Sequence, residues 1–187
     1  MPYKAVVIGT SAGGNSAISV ILNSLPESFD LPIFVVQHIS CDYDELILNI
    51  IQKSCKLPVK EAEDKCIIQK GTVYFAPACY HTFIENELYT GLSVDDPVKY
   101  ARPSIDVLFE SAARVYGKHL IGVILTGAND DGTDGMKSIK KSGGYTIVQD
   151  PATAEFPTMP QSAVSNVKID IICPLESIVH EILKKIK

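Results

Sequence analysis

Hydrophobic positions along this chain alternate between two rhythms. Short, nearly continuous apolar runs, "YKAVVIG" (3–9), "LPIFVVQH" (31–38), "LIGVILTG" (120–127), "YTIVQD" (145–150) and "VKIDIIC" (167–173), read as buried strands. Between them the apolar residues recur at helical spacing. Ile18, Ile21, Leu22 and Leu25 form one stripe closed by Pro26, and residues 42–55 form a second helix with Asp42 as N-cap and Glu45 three positions on in a capping box. Residues 102–117 form a third, with Ser104 as cap and Gly117 as stop; a fourth runs around 133–144, and a short helical piece lies near "QSAV". The last helix carries Leu175, Ile178, Val179, Ile182, Leu183 and Ile186 on one stripe, with "KKIK" at the end that favours positive charge. Strands apolar on both faces that alternate with amphipathic helices predict an α/β fold: a doubly wound, mainly parallel sheet with helices on both faces. The stretch from "PVKEA" through "TVYFAPACYHTFIENELYTG" breaks the rhythm, because its short runs leave no room for crossover helices; it predicts an antiparallel hairpin insert.

Composition narrows the function classes. With 187 residues, 46% of them hydrophobic and 21% charged, the chain has the size and core content of one domain spanning 1–187. A net charge of −5 and no run of Lys and Arg before the last helix give no electrostatic footprint for nucleic acid or anionic lipid. No apolar stretch approaches the roughly 20 residues of a bilayer span, and the N-terminus has no signal-peptide pattern, so a cytoplasmic protein without membrane insertion is expected. The five cysteines, Cys41, Cys55, Cys66, Cys79 and Cys173, are odd in number and scattered; most read as reduced thiols, with neither a disulfide framework nor a zinc site. No metal and no other cofactor is expected.

In an open parallel sheet the ligand crevice lies beyond the carboxyl ends of the strands, so chemistry is sought there. Those positions hold Gly9-Thr10-Ser11, Gln37-His38 and "GANDDG" (127–132). A dinucleotide turn would need glycine where Ser11 stands and an acid at the end of the second strand; a P-loop would need a Lys after Gly13 or Gly14. Phosphate cradling fails on both patterns. "GTSAG" instead matches the G-x-S-x-G elbow that exposes a serine at the head of a helix. A hydroxyl, an imidazole and a carboxylate at one sheet edge form the inventory of an acyl-transfer triad, here in the chain order Ser, His, Asp. Each also has a plainer role: Ser11 as a helix cap, His38 as a satisfied strand-end histidine, and one or more of Asp130, Asp131 and Asp134 as turn or cap residues. Spacing leaves open which aspartate faces the histidine. His81 is a second imidazole candidate, ranked lower because it lies off the expected crevice.

The stretches "VVIGTSAGG", "VVQHI", "VKEAED", "VYFAP", "RPSIDVLF", "GVILTGANDDGTDGM" and "MPQSAV" together resemble, in order and over most of the chain, the catalytic domain of the CheB family of chemotaxis protein-glutamate methylesterases. The resemblance implies Ser11 as nucleophile, His38 as general base and Asp131 as the acid that orients it. It implies hydrolysis of glutamyl methyl esters, with deamidation of receptor glutamines as a second activity, and the cytoplasmic helices of methylated chemoreceptors as partners. Ala12, Gly13 and Ala128 are the candidate oxyanion and active-site turn, and Arg102 is a candidate for docking acidic receptor surface. The chain departs from the family pattern: Ala12 replaces a hydroxyl residue, Ala128 and Asn129 stand where Met and Gly are usual, and "ISCDYDE" follows His38. The family's receiver domain is not expected, which makes a separate receiver protein a further candidate partner. A catalytically silent relative that binds a receptor or signalling partner is the competing class, and a nucleotide-binding module ranks third.

Overall fold

The computed structural model describes residues 3–39 and 46–186. Its first strand, β1 (Ala5–Thr10), is buried along its whole length and leads into α1 (Gly14–Ser24). β2 (Ile33–Gln37) and α2 (Leu46–Ser54) follow; the expected Asp42–Glu45 capping box lies outside the described residues. Then come β3 (Val59–Glu61), β4 (Val73–Phe75), β5 (His81–Asn86) and β6 (Tyr89–Ser93). The second half contains α3 (Ile105–Tyr116), β7 (Leu120–Ile124), α4 (Thr133–Lys141), β8 (Tyr145–Gln149), α5 (Thr158–Asn166), β9 (Ile171–Cys173) and α6 (Leu175–Ile186).

Seven strands form one sheet in the order β3-β4-β2-β1-β7-β8-β9, and each neighbouring pair is parallel. Successive side chains of a strand point to opposite faces, and the core divides accordingly. Val6, Ile8, Ile33, Val35, Val73 and Val123 pack with α1, α2 and α6 on one face. Val7, Phe34, Val36, Tyr74, Ile124 and Val148 pack with α3, α4 and α5 on the other. The chain leaves β1 toward β2 and later returns to place β7 on the opposite side of β1, so strand order reverses there. Since α1 and α4 cover opposite faces, a crevice opens at the carboxyl ends of β1 and β7, the usual ligand position in such sheets.

The insert differs from expectation in one respect. The hairpin is β5 with β6, antiparallel and separate from the main sheet, but β3 and β4 are parallel members of that sheet. The connection from β3 to β4 crosses over without a helix, which the sequence pattern could not signal. The last predicted strand is also shorter: only Ile171–Cys173 pairs with β8. Ser104 does cap α3, accepting from the Val107 N–H, and Gly117 ends it at φ 53°. No helix among the described residues is long and apolar enough to cross a membrane.

Candidate active site

Three strand ends converge on one rim. Past the regular ladder, the Leu125 N–H donates to Gly9 O (3.0 Å), the Ser11 N–H to Thr126 O (3.0 Å) and the His38 N–H to Thr10 O (3.1 Å). The backbones of Ser11 and His38 are thereby held by the sheet rather than left on free loops. Ser11 O accepts from the Gly14 N–H (2.9 Å), which tightens the turn into α1. The N-cap of that helix is Gly13, in the left-handed region at φ 75°, where a side chain would be strained. Ser11 is therefore not the cap, and its hydroxyl makes no hydrogen bond among the described residues. The Ala12 and Gly13 N–H groups likewise donate to no protein acceptor there.

Thr126 ties this turn to its neighbours. Its hydroxyl donates to Ala12 O (3.0 Å) and accepts from the Phe156 N–H (2.9 Å), while its own N–H donates to Gln149 Oε1 (2.9 Å). Nothing in the sequence pattern marks Thr126 or Gln149, because each acts through a residue distant in the chain.

Asp131 is completely buried (0% exposed) on the far side of His38. Its Oδ2 lies 2.8 Å from His38 Nε2 and accepts from the Ile105 N–H (2.7 Å). Its Oδ1 accepts from the Ser104 hydroxyl and from the Asp106 and Gly132 N–H groups, each at 3.0 Å. The carboxylate thus sits on the N-terminus of α3, where unpaired N–H groups and the helix dipole favour an anion. Burial alone would push its pKa up, but the His38 bond and the Ile105 and Asp106 N–H groups outweigh that and hold it below the ordinary carboxylate value. Of the other two acids in the motif, Asp130 is 61% exposed in its side chain and Asp134 pairs with Lys137 at 2.8 Å. The ambiguity left by spacing resolves to Asp131, the one bonded to the imidazole.

Two open depressions meet at His38. One, of ≈ 560 Å³, is lined by Ser11, Ala12, Gly13, Gln37, His38 and Glu155 among others. The second, of ≈ 340 Å³, is lined by His38, Ile39, Lys99, Tyr100, Arg102 and Asn129 among others. Ser11 and His38 share the first depression, although no hydrogen bond joins them in this structure. Ala128 stands exposed on the loop after β7. Arg102 donates to Val94 O (2.8 Å) and Asp95 O (3.0 Å), so it staples its own loop while lining the second depression.

Below this loop lies an ionic cluster that sequence reasoning missed. Lys99 and Tyr100 both have positive φ (48° and 65°), and Val98 and Ala101 close the turn by mutual backbone bonds. Two non-glycine residues in this region are costly. The turn presents Lys99 Nζ to Asp106 and Asp134 at 3.0 Å and to Asp130 at 3.7 Å. Asp106 is buried, accepts from the Gly135 N–H at the start of α4 (2.7 Å), and is pushed up to about 6, first by burial and then by the nearby Asp131 charge. "VKYA" lacks the Asn or Gly that marks such a turn, which is why the pattern did not disclose it. His81 is buried and structural: its Nδ1 accepts from the Ser104 N–H (3.2 Å) and its Nε2 faces Asp96 O (3.1 Å). Cys55, Cys66 and Cys173 are free thiols as expected, whereas Cys79 is disulfide-bonded, which the scattered spacing did not suggest.

Comparison with known proteins agrees with this architecture. The CheB methylesterase family profile matches residues 6–182. A candidate protein-glutamate methylesterase/protein-glutamine glutaminase of Leptospira interrogans is 49% identical over 178 residues, covering 95% of this chain and 92% of the relative. The protein-glutamate methylesterase/protein-glutamine glutaminase of Clostridium acetobutylicum is 33% identical over 184 residues, covering 98% of this chain but 53% of the relative, so the chain spans about half the length of that protein. The crystal structure of the Thermotoga maritima CheB methylesterase catalytic domain superposes with a TM-score of 0.93 at 33% identity, covering 99% of this chain and 100% of the other. With a family match over residues 6–182 and a fold that superposes over nearly its whole length, the chain belongs to the CheB methylesterase family.

Proposed function

We propose that this chain is a serine hydrolase that removes methyl groups from glutamyl methyl esters on the cytoplasmic helices of chemoreceptors. The observation that carries the reading is the buried, ionised Asp131 bonded to a His38 that shares an open depression with Ser11. Because Asp131 accepts from Nε2–H, the opposite nitrogen, Nδ1, is the basic one. Ser11 Oγ attacks the ester carbonyl carbon as Nδ1 takes its proton, and the new oxyanion is met by the unpaired N–H groups of Ala12 and Gly13, with the backbone at Ala128 as a further candidate donor. Collapse of the tetrahedral adduct breaks the bond to methoxide, which leaves as methanol with the proton from His38. Water, deprotonated by the same nitrogen, then releases the glutamate side chain and restores Ser11. A glutaminyl amide can follow the same route with ammonia as leaving group.

The depressions are open, as suits a substrate carried on the side of a long helix. Arg102 lines the second depression with His38 and is the residue proposed to meet acidic receptor surface, and a separate receiver protein is the partner proposed for control. The test is methanol release from methylated receptor preparations. Ser11→Ala should lower it by roughly 10³-fold or more while leaving the melting temperature within a few degrees. A variant that turns over like the parent would remove Ser11 from the mechanism.

A further inference from the structure

The Asn129 amide occupies the one edge of His38 that the proposed mechanism needs. Its Oδ1 accepts from the Asp131 backbone N–H (3.2 Å), and its Nδ2 lies 3.3 Å from His38 Nδ1. Which way this amide points follows from chemistry, since a backbone N–H can only donate, so the oxygen must face Asp131 and the NH₂ must face the ring. An NH₂ group can only donate in turn, so Nδ1 must offer a lone pair. On the opposite edge the Asp131 carboxylate can only accept, so Nε2 must carry the hydrogen. Two neighbours on opposite sides of the ring therefore demand the same neutral tautomer.

We propose that Asn129 is a positioning residue that selects the His38 tautomer with its lone pair on Nδ1, ready to take the serine proton, and that it occupies this nitrogen until Ser11 does. This rests on the hydrolase reading above. Asp131 alone fixes the hydrogen on Nε2 but leaves the far edge of the ring unspecified; a donor at Nδ1 fixes the lone pair there. The charged groups sharing the two depressions with His38 are Glu155 on one side and Lys99 and Arg102 on the other, with Asp131 behind the ring. All four remain in the variants below, so a displaced pH profile reports on position 129.

The test combines two variants with nitrogen-15 NMR of histidine-labelled protein, the His38 signals being assigned with His38→Gln. In the parent at pH 8, His38 should show a protonated Nε2 and an unprotonated, hydrogen-bonded Nδ1. Asn129→Ala should move Nδ1 toward the shift of a free lone pair. Asn129→Asp places an acceptor there, so the ring lies between two carboxylates and takes a second proton. Methanol release at pH 7 should fall roughly 10- to 100-fold and recover as pH is raised. A parent ring protonated on Nδ1, an Asn129→Ala spectrum unchanged at His38, or an Asn129→Asp pH profile superimposable on the parent's would each overturn the inference. The spectra require no substrate, so failure of the hydrolase reading in the Ser11→Ala assay is told apart from failure here.

Discussion

A fully buried carboxylate must be fed by donors, and Asp131 takes five: the His38 ring, the Ser104 hydroxyl, and the Ile105, Asp106 and Gly132 N–H groups. Asp131→Asn has nearly the same shape but turns one acceptor into a donor facing donors. The expected loss is about 3 kcal/mol of stability, since breaking a buried ionic network leaves its partners uncompensated, together with a large fall in methanol release because Nε2–H no longer has a partner. Thermal melts and the release assay check both. The residue types of this site were legible in the sequence, since hydroxyl, imidazole and carboxylate all fell at strand ends. The choice among three aspartates was not legible from spacing, because it is decided by the start of a helix some 25 residues earlier in the chain. Asn129 showed only as a departure from a family pattern; its role needed the ring beside it.

Among the elements, the turn from β1 into α1 depends on Thr126. Its hydroxyl joins Ala12 O to the Phe156 N–H, two groups from segments that never meet in sequence. Thr126→Val keeps volume and β-branching but leaves both without their partner. Stability should fall by about 1–3 kcal/mol, and kcat should fall more than KM changes, because the turn that presents Ser11 loosens while the outer depression persists. Steady-state kinetics beside a urea titration separate the two effects. The helices and long strands were readable because their periods of 3.6 and continuous apolar runs come from local burial. The pairing of β3 with β4 was not, since three-residue strands carry no period and parallel neighbours imply a helix that this connection lacks.

Taken whole, the molecule packs two acids of opposite character between α3 and α4. Asp131 is held below the ordinary carboxylate value, and burial pushes Asp106 up to about 6. The signs follow. Between pH 4 and 6 the folded chain binds a proton at Asp106 that the unfolded chain does not, so this group makes the protein more stable as pH falls through about 6. Asp131 contributes stability above the ordinary carboxylate range and loses it as pH falls below that range. Melting temperature should therefore rise from pH 7 to about 5 and drop steeply below 4. Asp106→Asn should remove the rise, worth on the order of 2 kcal/mol, while keeping the acid drop. A parent profile flat from pH 7 to 5 in differential scanning calorimetry would contradict the assignment.

Because the acid behind His38 is seated on the first N–H groups of α3, the imidazole is aimed only after that helix has docked against the loop following β7. A nascent or partly melted polypeptide still carries the serine and the ring, yet it has no carboxylate in place to orient that ring. On the proposed mechanism, completion of the tertiary structure is therefore also the step that arms the chemistry, and an immature copy is expected to stay idle.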